Sequence, residues 1–174
     1  MKRALTATLA LAGFCAATPG NAASQALLDC AVGGLDSSYR ASVATAAQRG
    51  ALEGVTGRLE NAVTTCAQRF SLSLDQQAAY YQYTLTRVER DEFARRLTAV
   101  GIPTQVIDDA LDFGPYRSNP LIEGKISDAQ INAFYAALRN NGVDVKAVSG
   151  DTWGLIGVYV QASSSMWNAW EKLP

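Results

Sequence analysis

The 174-residue chain contains no histidine. That one absence removes a broad block of chemistry. Ser-His-Asp and Cys-His nucleophile systems need an imidazole to carry the proton. Histidine-ligated zinc and the Glu-x-x-His di-iron sites of helical bundles lose their nitrogen donors as well. Cysteine is scarce, with three in all, and no phosphate cradle of the G-x-x-x-x-G-K-[ST] type is present. Basic charge does not exceed acidic charge: 15 Lys and Arg stand against 16 Asp and Glu. A nucleic-acid surface needs a basic stripe, so no nucleic-acid partner is expected. What remains is the chemistry of carboxylates, tyrosine, arginine, lysine and serine. No cofactor is expected.

The first residues follow a separate logic. Met1-Lys2-Arg3 is basic, residues 4–17 are apolar and uncharged, and Pro19-Gly20 leads into small residues. This is the three-part pattern of a secretory signal, with cleavage expected after Ala22. Residues 1–22 are set apart on that ground, and 23–174 are read as a single helical domain, long enough to bury a real core. The protein is expected to be exported, periplasmic or secreted, with no transmembrane segment in the mature chain. Cys15 leaves with the signal. Cys30 and Cys66 remain, and an even pair in an exported protein reads as a disulfide. Cys30 shares a helix face with Leu27, and Cys66 continues the series Leu52, Val55, Leu59, Val63, so both sulfurs point towards the core.

Along the mature chain, apolar residues recur at helical spacing and no two segments pair as strands. A first helix is expected over 24–32, and a second over 37–48 with Asp36 as its cap. After a bend near Gly50, a third runs to about Phe70. In the fourth, Leu74, Ala78, Tyr81, Leu85 and Val88 form a buried seam. Phe93, Leu97 and Val100 are rotated from that seam, so either the helix kinks near Arg90-Asp91 or its second half packs on a different neighbour. The kink is the favoured reading, with Asp91 capping a fresh turn. Leu97, Gly101 and Ile102 suit a Schellman terminus. A short fifth helix occupies 103–113. Ser127 and Gln130 form a capping box for the sixth, whose buried face is expected to be Ile131, Phe134, Tyr135 and Leu138. Residues 143–148 are read as an extended linker. The fold class is all-α: a bundle of six to seven helices with one helix–helix disulfide.

The last helix, 152–170, organises this reading. It carries no charged side chain and holds every tryptophan: Trp153, Trp167 and Trp170. A helix that is apolar on all sides belongs in the middle of a bundle. Its indoles, each with an N–H that needs an acceptor, also suit a binding surface. Tyr80 and Tyr83 fall off the buried seam of the fourth helix and are expected beside it. The candidate ligand- or partner-binding residues are therefore Tyr80, Tyr83, Trp153, Trp167 and Trp170. The function expected is that of a non-enzymatic domain binding a protein or a small apolar or aromatic ligand.

The alternative is a cell-envelope hydrolase or lyase working through Asp or Glu. Its candidates are Asp108, Asp109 and Asp112, expected on the solvent side of the fifth helix, and the run Glu89, Asp91 and Glu92. No glutamate stands in a setting that suggests a raised pKa. The Arg-rich run 87–96 reads as a solvated ion-pair face, with Glu92–Arg96 and Asp91–Arg95 as pairs. Residues 119–130 resemble a calcium loop in part, but Leu121 and Gln130 occupy two ligand positions. No metal site is expected.

Overall fold

A computed structural model describes residues 23–120 and 126–174. The signal-like segment and the centre of the calcium-like stretch lie outside the described residues. Among those described there are seven helices and no strand: α1 (Gln25–Gly33), α2 (Ser37–Gln48), α3 (Gly57–Arg69), α4 (Leu74–Ala99), α5 (Thr104–Ala110), α6 (Asp128–Asn140) and α7 (Gly150–Trp170). No helix among them is long and apolar enough to cross a membrane. Residues 143–149 form a turn and extended backbone, as the linker reading expects.

Short polar residues set most of the starts. Ser24, Asp36, Ser127 and Ser149 each accept a hydrogen bond from a backbone N–H in the first turn of α1, α2, α6 and α7. That satisfies donors the helix itself cannot. Ser73 and Gln76 form a second capping box, at α4, that the sequence reading passed over. At the far end of α4, Ile102 N–H donates to the Leu97 carbonyl at 2.9 Å and Gly101 N–H to Thr98 at 3.1 Å. Gly101 takes the left-handed conformation this Schellman motif requires, with φ at 79°. The same arrangement closes α6 through Val143 and Leu138.

The two longest helices, α4 and α7, share the largest contact in the molecule. They run antiparallel. Ala78 and Ala79 near the start of α4 flank Ala169 and Lys172, while Phe93 further along meets Val158 and Ala162. Two apolar clusters sit along this pair. One gathers α1, α3 and the first half of α4 around Tyr80, Leu59 and Leu27; the other gathers α5, α6 and the second half of α4 around Phe93, Ile107, Leu138 and Tyr159. Both clusters include α7 residues, so the tryptophan-bearing helix does sit inside the bundle.

Four expectations need correction. First, α4 is a single uninterrupted helix, and Asp91 caps nothing. It has no need to kink, because its buried face shifts from Ala79, Tyr80 and Tyr83 to Phe93 and Leu97 as its neighbours change from α1 and α3 to α5. Second, the expected seam holds at Leu85 and Val88, which are buried, but is out of phase over the first half of the helix, where Leu74 is 82% exposed, Ala78 is exposed and Tyr81 only half-buried. Third, Leu52 and Val55 precede α3 rather than lying on it. Fourth, α6 buries Leu138 alone; Phe134 is half-buried, and Ile131 and Tyr135 are exposed.

The Cys30–Cys66 disulfide joins α1 to α3, with Cα atoms 6.0 Å apart and a sequence separation of 36. Closing a loop of this size restricts the unfolded chain by up to about 4 kcal/mol in the chain-entropy treatment. Replacing both cysteines by serine should lower the urea midpoint, cost about 2–4 kcal/mol and raise the m-value, because the unfolded chain is no longer held compact. Two free thiols in the denatured, unreduced wild type would contradict the bond.

Candidate functional site

The three tryptophans do not form one surface. All project from α7 and all are half-buried. Trp153 and Trp167 lie fourteen residues apart, about 21 Å along a helix. Trp153 belongs to an aromatic cluster with α6, its ring centroid 5.5 Å from Tyr135 and 6.3 Å from Phe134. At the other end, Trp167 and Trp170 meet edge to face at 5.9 Å. Tyr116, 79% exposed, stands on Trp170 at 5.4 Å. The Trp167 Nε1 is buried with no acceptor among the described residues.

Tyr80 and Tyr83 are not exposed. Tyr80 is wholly buried, and its hydroxyl is inserted into a turn of α1, donating to the Leu27 carbonyl at 2.8 Å and accepting from Ala31 N–H at 3.1 Å. The Tyr83 hydroxyl accepts from Arg87, which also donates to the Leu28 carbonyl and pairs with Asp29. These tyrosines tie α1 to α4. They are placed to hold helices together rather than to meet a ligand. The misplacement follows from the phase error in the α4 seam, since a rotation of one position exchanges Tyr81 for Tyr80.

The carboxylates are distributed differently from the sequence reading as well. Asp108 is buried, not on the solvent side. It accepts from the Tyr159 hydroxyl at 2.8 Å and from Arg90, whose guanidinium lies 5.4 Å from the Tyr159 ring centre. Burial pushes the Asp108 carboxyl up, against the Arg90 guanidinium and the Tyr159 hydroxyl, which hold it down. One ion pair and one hydrogen bond thus connect α4, α5 and α7. Asp109 and Asp112 remain outside, tied to Arg117 and to Ser118 N–H. In the Arg-rich run, Glu92 is buried and gripped by Arg95 and Arg96 at 2.7 and 2.9 Å, so the Glu92–Arg96 pair forms. Asp91 turns to Arg87 and Arg90 instead of Arg95.

Glu89 was among the carboxylate candidates, but the expectation that no glutamate stands in a pKa-raising setting fails here. Glu89 lines a cleft of about 360 Å³ between α4, the end of α2 and α7. Leu52, Leu85, Phe93, Val158 and Ala162 give the cleft apolar walls, and Gln48, Gln82, Gln161 and Ser165 supply polar groups. Among the described residues Glu89 makes neither an ion pair nor a side-chain hydrogen bond. Desolvation alone raises its pKa to about 7. A cleft that mixes apolar walls with polar groups around one perturbed carboxyl is a candidate small-molecule site. The signal lies in the tertiary structure: Glu89 sits in an Arg-rich run, and only the approach of α7 takes water from it.

The calcium-like stretch gives no ligand at its first position. The Asn119 side chain is buried, donating to the Gly114 and Arg117 carbonyls and accepting from Gly114 N–H. Ser164 reaches the same loop, donating to the Pro120 carbonyl at 2.7 Å. The small side chain of Ser164 thus admits a second stretch of backbone beside α7. Among the described residues no group of three acidic or cysteine side chains could hold a metal ion. The fold defines a seven-helix, disulfide-tied bundle. No protein-family model, curated protein or solved structure matches the chain.

Two outcomes follow from the buried charges. Asp108→Ala leaves the Arg90 cation in a largely desolvated position and should cost about 3 kcal/mol in urea unfolding, with Asp108→Ala combined with Arg90→Met costing less than Asp108→Ala alone. A combined variant no more stable than the single one would contradict the pair. Glu89 acts in the opposite sense. Its folded pKa of about 7 lies above the ordinary 4.5, so the folded state prefers the protonated form. Its stability contribution is complete below about pH 4.5 and declines as pH rises to about 7. Glu89→Gln should remove that decline and be the more stable form above about pH 7, by on the order of 2 kcal/mol. Parallel pH–stability curves for the two proteins would show that Glu89 is well solvated.

Proposed function

We propose that this protein is an exported, non-enzymatic helical domain that binds a protein partner through the aromatic surface of Trp153 and α6. The observation that carries this reading is the incomplete burial of α6. Its apolar side chains are spaced to pack inward, yet Ile131 and Tyr135 stay 38% and 36% exposed beside the half-buried Trp153 and Phe134. Tyr and Trp, rigid and amphipathic, contribute disproportionately at protein interfaces. None of these side chains lines the clefts that contain Glu89, Asp91 and Trp167. That favours a macromolecular partner over a small ligand here. Export is supported by the signal-like opening and by the disulfide, a bond that persists in oxidising compartments.

The alternative, a hydrolase or lyase using paired carboxylates, has less support. Glycosidic chemistry of the two-carboxylate kind needs both groups facing one substrate. Glu89 has no second carboxylate in its cleft. Asp108 is engaged by Arg90 and Tyr159.

Photo-reactive phenylalanine analogues placed at Ile131 and Tyr135, with a control at exposed Leu74, test the interface in the native envelope. Adducts to one defined protein at the first two positions only are expected, and Trp153→Ala should weaken the complex by about 2 kcal/mol, roughly thirtyfold. The same adducts at all three positions, or none, would remove the proposed surface.

A further inference from the structure

The cleft beside Glu89 has a charge without a counter-charge. Its α2 side contributes Ala47 and Gln48, the connector Leu52, and α7 Val158, Gln161, Ala162 and Ser165; none can ionise. On α4 itself Glu89 is the lone charged residue of the lining, with Gln82, Leu85, Thr86 and Phe93 around it. Two neighbouring titratable groups come near without supplying the missing charge. Tyr81 only feels Glu89 as a like charge. Arg96 approaches Gln48 but is held by Glu92 and Thr45. Thr86 is no free donor either, because its hydroxyl donates to the Gln82 carbonyl at 2.7 Å.

A half-buried carboxyl in this position is costly when ionised, and the cost disappears when a cation enters with it. The apolar walls set the rest of the ligand. We propose that the cleft is a binding site for a small organic ammonium ion with an apolar body, its charge on Glu89 and its hydrocarbon against Leu85, Phe93, Val158 and Ala162. Gln82 and Gln161 line the same cleft, and a carboxamide oxygen can accept a remaining ammonium proton. A neutral molecule of the same shape gains the apolar contact but supplies no counter-charge to the carboxylate. An anionic one is repelled. This site is separate from the aromatic surface at α6, and either can fail without the other.

The site gives binding a pH dependence of definite sign. Without ligand Glu89 is half-protonated at about pH 7, whereas the ammonium complex requires it ionised. Binding below that pH therefore releases a proton, and affinity rises with pH until Glu89 is ionised in the free protein.

Calorimetry and carboxyl-carbon NMR of Glu89 with phenethylammonium test this, using phenethyl alcohol and hydrocinnamate as neutral and anionic controls of similar shape. At about pH 8 phenethylammonium should bind at least tenfold more tightly than the alcohol, with no detectable hydrocinnamate binding, and it should weaken about tenfold at about pH 6. The Glu89 titration should move to lower pH in its presence. Glu89→Gln, whose folding is checked by circular dichroism, should bind ammonium and alcohol alike. Equal binding of the two by the wild type would overturn the proposal. So would a preference that survives Glu89→Gln, or the absence of any ammonium binding at millimolar concentration.

Discussion

Everything in this bundle hangs on the antiparallel contact between α4 and α7. Helices pack closely where their facing side chains are small, and α7 places Ala162, Ser165 and Ala169 beside α4 over its second half. The bulk sits at the flanks: Tyr80, Phe93 and Tyr159 are each buried to 1% exposure or less. This contact gives every other helix its place. α1 and α3 cover one end, coupled by the disulfide and by the Tyr80 hydroxyl. α5 covers the other, coupled by the Asp108 link to Arg90 and Tyr159. The cleft beside Glu89 is a by-product of the same geometry, opening where α2 ends short of the groove between the two long helices.

Much of this was legible in the sequence, and the parts that were share a cause. Caps and termini are local: Asp36, Ser127 with Gln130, Leu97 with Ile102, and Leu138 with Val143 involve residues within a few positions of one another. The disulfide was legible because only two cysteines lie outside the signal-like segment, which leaves one pairing. The uncharged run 152–170 had to be enclosed, whatever enclosed it.

The rest depended on rotation about helix axes, which periodicity constrains poorly when a helix has several neighbours. In α4 the buried face moves along its length, so a single seam could not describe it, and Tyr80 and Tyr83 were assigned to the wrong side. Asp108 was assigned to water because short α5 has apolar residues enough for one face without it. Its burial depends on Arg90 and Tyr159, each far away in sequence. Glu89 is the same case in reverse: nothing within four residues marks it, and only the tertiary groove strips its water. The sequence-level site of five aromatic residues accordingly separates into two buried ties, Tyr80 and Tyr83, and two aromatic groups at opposite ends of α7.

The α5–α6 pair shows what this distribution of contacts means for motion. α6 leans chiefly on α5, which meets α4 through a modest interface, while α4 and α7 secure each other along most of their length. Cooperative opening follows the density of such attachments. Amide protons in the middle of α6 should therefore exchange through a partial unfolding that leaves the long pair intact. The aromatic patch would then travel with a detachable flap, free to adjust its angle on meeting another surface without disturbing the rigid spine beneath it.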